Sequence, residues 1–301
     1  MSENLKYKNL KPLIQSILII LLFFLMAQLV LGSILTNYDI TDLSSLTEND
    51  VVEINILKFA HFISSLLSFV FPAVLIAGII YRNVSERLMF SKKPNVSWYV
   101  LASLILIFAM PFMNLIIQWN EAIVFPESLS DLYKSFRASE DSAIHITELM
   151  LAKNTSYNLW INIVVMALIP ALGEEMLFRG IIQRLFHDLS KNIHVAIWLS
   201  AFLFSAIHFQ FFGFIPRLLL GAFFGYLVYF SGSILLGIWV HFLNNGLAIL
   251  AHHFMQKGDL PENVDKLGSE SGDLAWVMIS IALTIFLFSL LVRKYKRELS
   301  N

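Results

Sequence analysis

The stretch NLWINIVVMALIPALGEEMLFRGIIQRLF, residues 158–186, carries Glu174, Glu175, Arg179 and Arg184 inside an otherwise apolar run. A membrane helix needs about 20 mostly apolar residues, and this run exceeds that length. Similar runs lie near residues 13–35, 59–81, 98–118, 193–209, 214–230, 233–254 and 274–292. The expected fold is therefore all-α: a polytopic transmembrane helix bundle of about eight membrane helices. The fifth and sixth runs are short and nearly adjacent, so they also read as one re-entrant unit.

Composition points the same way. The 301 residues are 57 % hydrophobic and 14 % charged, against roughly 25 % charged in a soluble domain. Mean hydropathy is +0.70. Water cannot be the solvent for so much apolar surface, but lipid can. The net charge of −1 supplies no field that would draw nucleic acid, so none is expected as a partner. The absence of cysteine excludes disulfides, thiolate zinc sites and a cysteine nucleophile. A metal would need His, Asp or Glu ligands. The first run follows Lys6, Lys8 and Lys11 as a signal peptide would. It is longer than an h-region of about 7–15 residues and lacks a small-x-small cleavage site, so it reads as a retained anchor.

The charges outside the runs orient the chain. Lys6, Lys8 and Lys11, then Arg82, Arg87, Lys92 and Lys93, then Arg184 and Lys191, and finally Arg293, Lys294, Lys296 and Arg297 fall on one side if the spans alternate. The other side carries Asp39, Asp42, Glu48 and Asp50, then Glu121, Glu127, Asp131, Glu140, Asp141 and Glu148, and then Asp259, Glu262, Asp265 and Glu270. This Lys/Arg bias places both termini in the cytoplasm. The expected location is the plasma (inner) membrane of a bacterium, as a multi-pass protein in contact with membrane lipid. The non-cytoplasmic segment 128–152 mixes charges with spaced apolar residues and reads either as short interfacial helices or as a solvated loop.

The first three spans are nearly featureless. Glu53, Lys58 and His61 sit close enough to a span end to snorkel. The fourth span differs. A charge at the centre of a membrane helix costs about 2.5–3.5 kcal/mol on translocon scales. Glu175 and Arg179 are four apart and can pair on one helix face. Glu174 is turned about 100° away. It must face a protein partner or a watery cavity, or carry a proton. Pro170 and Gly173 just upstream loosen the helix, which suits a site that water must reach. The fifth span holds Phe204-Ser-Ala-Ile-His208, and the seventh holds His241-Phe-Leu-Asn244-Asn245, with His241 and Asn245 on one face. A Glu, two His and an Asn can hold a water, take its proton and stabilise an oxyanion. Gly221 and Gly225, with Gly232 and Gly237, suggest close helix packing in the sixth and seventh spans. A bland reading remains for each feature: buried charge as packing glue, and each histidine as an interhelical hydrogen bond.

Glu174-Glu175-x-x-x-Arg179, Phe204-x-x-x-His208 and His241-x-x-x-Asn245 occur in that order on successive apolar segments. The pattern resembles the CAAX protease and bacteriocin-processing (CPBP, or Abi) family of intramembrane proteases, over roughly residues 158–254. The resemblance implies an endopeptidase with its active site inside the bilayer, acting on a membrane-associated peptide or a lipidated protein. It implies that Glu174 and His208 activate water, that His241 and Asn245 bind the oxyanion, and that Glu175, Arg179 and Phe204 support the geometry. The family is described both as a metalloprotease and as a glutamate peptidase. If a divalent metal such as zinc takes part, Glu174, His208 and His241 are its ligands; the zincin pattern HExxH is absent. On this reading residues 1–157 supply three anchor spans and non-cytoplasmic loops. Residues 158–255 form the catalytic core, and residues 256–301 a loop and a final span.

Two other function classes compete. A non-catalytic scaffold or immunity protein would regulate another membrane protein, and members of the family do so. A proton-coupled transporter also uses intramembrane carboxylates and histidines, but it predicts inverted repeats and paired broken helices, which the sequence does not show.

Overall fold

A computed structural model describes residues 3–40, 42–261, 268 and 271–300, and every regular element among them is helical. The acidic positions Glu262, Asp265 and Glu270 of the last loop lie outside the described residues. Seven helices are long and apolar enough to cross a membrane. They are α1 (Glu3–Asn37), α2 (Val51–Ile80), α3 (Val96–Glu121), α5 (Ser156–Ser190), α7 (Phe214–Ser231), α8 (Ile234–Gln256) and α9 (Leu274–Ser300). An eighth apolar helix, α6 (Ile193–Ala206), is shorter. The protein is an integral, multi-pass helical bundle, with α6 in the place of the fifth expected span. The remaining long helix, α4 (Ser130–Leu151), is amphipathic and joins α3 to α5.

Local sequence sets the joints. Asn192 caps α6, its Oδ1 accepting from the backbone N–H of His194 at 2.9 Å and of Val195 at 3.3 Å. That satisfies donors the first helical turn leaves free. Gly232 ends α7 at φ +66, where a side chain is disfavoured, and Ser233 caps α8 by accepting from Leu235 N–H. Two residues therefore turn α7 into α8 as a tight helical hairpin.

The central helix α5 is surrounded by α2, α6, α7 and α8, and so is the most buried of the spans. By contrast, α1 lies at the periphery against α2 and turns Leu18, Leu21, Leu25 and Leu29 outward, as a lipid-facing helix does. Helix α5 is not uniform. Its turns widen to i→i+5 spacing over Ile163–Leu168 and again over Met176–Ile182, on either side of a regular segment Ile169–Glu175. Such wide turns inside α-helices concentrate at functional sites. Pro170 opens the regular segment and has no N–H to offer the Met166 carbonyl.

Three local expectations change. Segment 128–152 is one 22-residue helix rather than a loop or several short helices. Its apolar residues gain a surface that no single turn would have, because Phe125, Tyr133 and Phe136 form an aromatic cluster with Phe211 and Phe212 at its start. Gly173 does not loosen α5. A Cβ there would lie 2.9 Å from Phe69 Cβ and 3.0 Å from Val70 Cγ2, so the glycine lets α5 and α2 touch. Lys58 does not snorkel: it is buried between helices, with Nζ 3.5 Å from Asn158 Oδ1.

Candidate active site

Each charged group on α5 meets a partner from another helix. Arg179 Nη1 donates to Glu175 Oε1 at 2.7 Å, with both side chains essentially inaccessible. Arg179 Nη2 donates to the Gly221 carbonyl of α7 at 2.7 Å. One turn along, Gln183 Nε2 lies 3.4 Å from the Gly225 carbonyl. Two side chains four apart on α5 thus reach two carbonyls four apart on α7. Gly221 packs against Ala201 and Phe204 and Gly225 against Ile197, so the glycine spacing brings α7 close to α6 as well as to these polar groups.

Glu175 also receives His241. A carboxylate only accepts, so His241 Nδ1 donates to Glu175 Oε1, at 3.0 Å. One oxygen therefore takes a hydrogen bond from a guanidinium and from an imidazole. The other oxygen, Oε2, is buried without a hydrogen-bond partner among the described residues and faces Gly237. A Cβ on Gly237 would sit 2.8 Å from it. With Nδ1 held, His241 Nε2 lies 3.8 Å from Glu174 Oε2. Phe224 stacks on the His241 ring at 5.0 Å between centroids. Phe204 stands edge-on between the two histidines, 5.9 Å from His241 and 5.4 Å from His208. His208 Nδ1 donates to the Phe204 carbonyl at 2.8 Å, which leaves the lone pair of the neutral ring on Nε2.

Glu174, His208, His241 and Asn245 all line one cavity of about 550 Å³. Glu175, Arg179 and Phe204 brace it, although only Phe204 reaches its wall. Asn245 is partly engaged: its Oδ1 accepts from Asn244 Nδ2 at 3.1 Å, and its Nδ2 is 3.5 Å from the Met166 carbonyl.

Residues 156–247 match the model of a family described as type II CAAX prenyl endopeptidase Rce1-like. The chain carries an Rce1-like segment. All three motifs fall inside it, so the family recognised from them and the family matched agree. The Rce1-like segment implies a protease of the membrane-embedded CAAX type. It spans α5 to most of α8 and thus contains the whole Glu–Arg–His cluster. Comparison with curated proteins and with solved structures gave no match.

Among the described residues no three His, Asp or Glu side chains stand together as a metal-binding group. The ligand set that zinc would require, Glu174, His208 and His241, is not assembled as a cage in this conformation. His241 Nδ1 is committed to Glu175, which leaves Nε2 as the nitrogen that faces Glu174.

Several cavity residues escape the motif reading. His61 on α2, Glu140 on α4 and Arg217 on α7 line the wall of the same cavity. Arg217 Nη2 donates to Gln210 Oε1 at 2.8 Å, and Gln210 Nε2 lies 3.4 Å from Glu140 Oε1. Burial holds the Glu140 carboxyl above the usual carboxylate range, while the Arg217 guanidinium opposes the shift. Arg217 and Gln183 carry the same signal as Glu174, a polar group inside an apolar run. His61 and Glu140 carry none, since their place on the wall comes from how α2 and α4 pack.

Proposed function

We propose that the protein is an intramembrane endopeptidase in which Glu174 acts as general base on a water in the cavity. With Glu174 and Glu175 ionised against Arg179 alone, the cluster carries one excess negative charge. A single proton on His241 Nε2 makes it neutral and leaves Glu174, whose Oε2 is 3.8 Å away, free to accept another. Glu174 accepts a proton from water as the oxygen attacks the scissile carbonyl carbon. His208 Nε2 accepts the water's other hydrogen bond and so aims it. The oxyanion that forms lies against His241 Nε2–H and the Asn245 amide, which must then leave the Met166 carbonyl. Glu174 returns its proton to the leaving nitrogen as the C–N bond breaks.

Glu175 and Arg179 touch no reacting atom. They hold His241 in one orientation, since the Glu175 oxygen that pairs with Arg179 is also the one that receives His241 Nδ1–H. The observation that carries the proposal is that α5, α8 and the end of α6 converge Glu174, His208, His241 and Asn245 on one cavity. The bias of basic residues in the loops supports both termini lying in the cytoplasm, and the proposed location is the plasma membrane of a bacterium. The substrate class is a membrane-associated peptide or a lipidated protein.

The test uses the full chain in proteoliposomes with a panel of prenylated and membrane-inserted peptides, read by mass spectrometry. Glu174→Gln and His208→Ala should each lower cleavage by about 10²–10⁴-fold. Wild-type rates in Glu174→Gln would refute the scheme. Chelation followed by zinc addition should leave the rate unchanged; loss on chelation with recovery on zinc would replace this scheme with a metal-based one.

A further inference from the structure

Helix polarity and the loop charges together fix the side from which the cavity is reached. Helices α3, α5 and α7 line the cavity mainly from the half nearer α4, while α8 meets it with His241, Asn244 and Asn245, up to its midpoint. On α7 the lining residues Pro216, Arg217 and Leu220 lie toward its start and Phe224 just past its midpoint, while on α3 they are Ile117 and Glu121, at its end. On α5 they are Met166, Pro170 and Glu174, from the first half to near the midpoint. His208 follows the last turn of α6. Helix α4 itself adds Glu140, Ile144 and Thr147. The connections at this end are the acidic ones.

The other half of the bundle is filled. Directly beyond Glu175, the residues Met176, Leu177, Phe178 and Ile181 of α5 pack with Leu88 and Ile234 in a buried apolar core. The loops over that core are tied to α5: Arg184 Nη1 donates to the Glu86 carbonyl at 2.9 Å, and Arg87 pairs with Asp188 at 3.3 Å. These are the loops rich in Lys and Arg. A close-packed core of this kind leaves no passage for a peptide.

We infer that the cavity opens to the non-cytoplasmic side, along α4, and is sealed toward the cytoplasm, so that its substrate is an extended peptide segment presented outside the cytoplasm. The inference rests on the peptidase reading for the word substrate, but the direction of opening stands independently of it. It implies that the C-terminal tail of a cytoplasmic lipidated protein does not reach Glu174, and that the segment cut has already crossed, or lies on the far side of, the membrane. Glu140, Gln210 and Arg217 form a polar collar beside which such a segment passes.

The chain has no cysteine, so single introduced cysteines report without background. Three full-length variants suffice: Thr147→Cys on α4, Met166→Cys on the cavity wall, and Ser85→Cys in the basic loop. The probe is a small, membrane-impermeant methanethiosulfonate applied to intact cells and then to permeabilised cells. Thr147→Cys and Met166→Cys should label in intact cells, and Ser85→Cys only after permeabilisation. The reverse pattern would overturn the inference, as would a Met166→Cys that labels only once the cytoplasmic face is exposed. A Met166→Cys that never labels, beside a reactive Thr147→Cys, would show a closed cavity and also overturn it. Adding Glu174→Gln to Met166→Cys should not alter labelling, so a failure of the catalytic scheme leaves this result readable.

Discussion

Changing Glu174 or Glu175 to glutamine alters neighbouring residues by the same chemistry, yet the structure assigns the two substitutions opposite consequences. Glu175 is fully buried, 2.7 Å from Arg179, which is 1 % exposed. Neutralising it removes the only carboxylate in hydrogen-bond contact with the buried guanidinium among the described residues and leaves Glu174 to offset that charge from farther away. Removing one member of a buried ion pair costs about 3–5 kcal/mol. For a chain of this size that corresponds to a fall in melting temperature of about 6–10 °C, at roughly 2 °C per kcal/mol. Glu174 has no cation at hydrogen-bond distance; its nearest charged partner is His241 at 3.8 Å. Glu174→Gln breaks no hydrogen-bonded ion pair and should therefore cost less stability than Glu175→Gln. It should still lose about 10²–10⁴-fold in cleavage rate. The assay is thermal unfolding of the purified proteins in one detergent, followed by tryptophan fluorescence, with activity measured well below the transition. Equal melting temperatures for Glu175→Gln and the parent would show that the buried pair is not compensating charge. A Glu174→Gln variant as unstable as Glu175→Gln would remove the distinction between a reacting carboxylate and a bracing one.

Gly237→Ala places a methyl 2.8 Å from Glu175 Oε2 and 2.7 Å from Val228 Cγ2. Overpacking of this kind costs about 1–3 kcal/mol, and the displaced carboxylate should carry His241 with it, so that cleavage falls more than stability does, as the two assays above would register. Glu140→Gln concerns pH. Burial raises the Glu140 carboxyl in the folded protein above the ordinary glutamate range, so the folded state binds its proton more tightly than the unfolded state does. Stability must then decline as pH rises through that region toward neutrality, and the loss persists above it. The amide keeps an oxygen for Gln210 and cannot ionise; its melting temperature at neutral pH should match or exceed the parent's, with the gap vanishing in acid, and a lower value at neutral pH would contradict this sign.

Most of the architecture follows from composition and spacing, because lipid imposes a length and a polarity on each helix one at a time. Runs of apolar residues are enough to mark the spans, and the Glu175–Arg179 pair follows from a four-residue offset within one helix. The same local logic singles out Glu174, which has no partner on its own helix. It fails for residues whose role depends on another helix. Lys58 reads as a snorkelling end group, but α5 lies close enough to bury it. Gly173 reads as a loosening device, but α2 packs onto it. Segment 128–152 has the composition of a loop, and only the aromatic residues of the α6–α7 connection give its first turns a surface to rest on.

Residue order alone thus gave the helical, membrane-spanning nature of the chain, all but one of its spans at full length, and the three motifs that carry acid, imidazole and amide groups. Those properties are read within single helices, where the 3.6-residue repeat and the thickness of the bilayer suffice. Packing decided the rest. It joined Glu175 to His241 across α5 and α8, recruited Arg217 and Glu140 to the cavity wall, and closed one half of the bundle while leaving the other open. Distances between helices depend on which side chains interdigitate along their whole length, and no local stretch of residues encodes that sum.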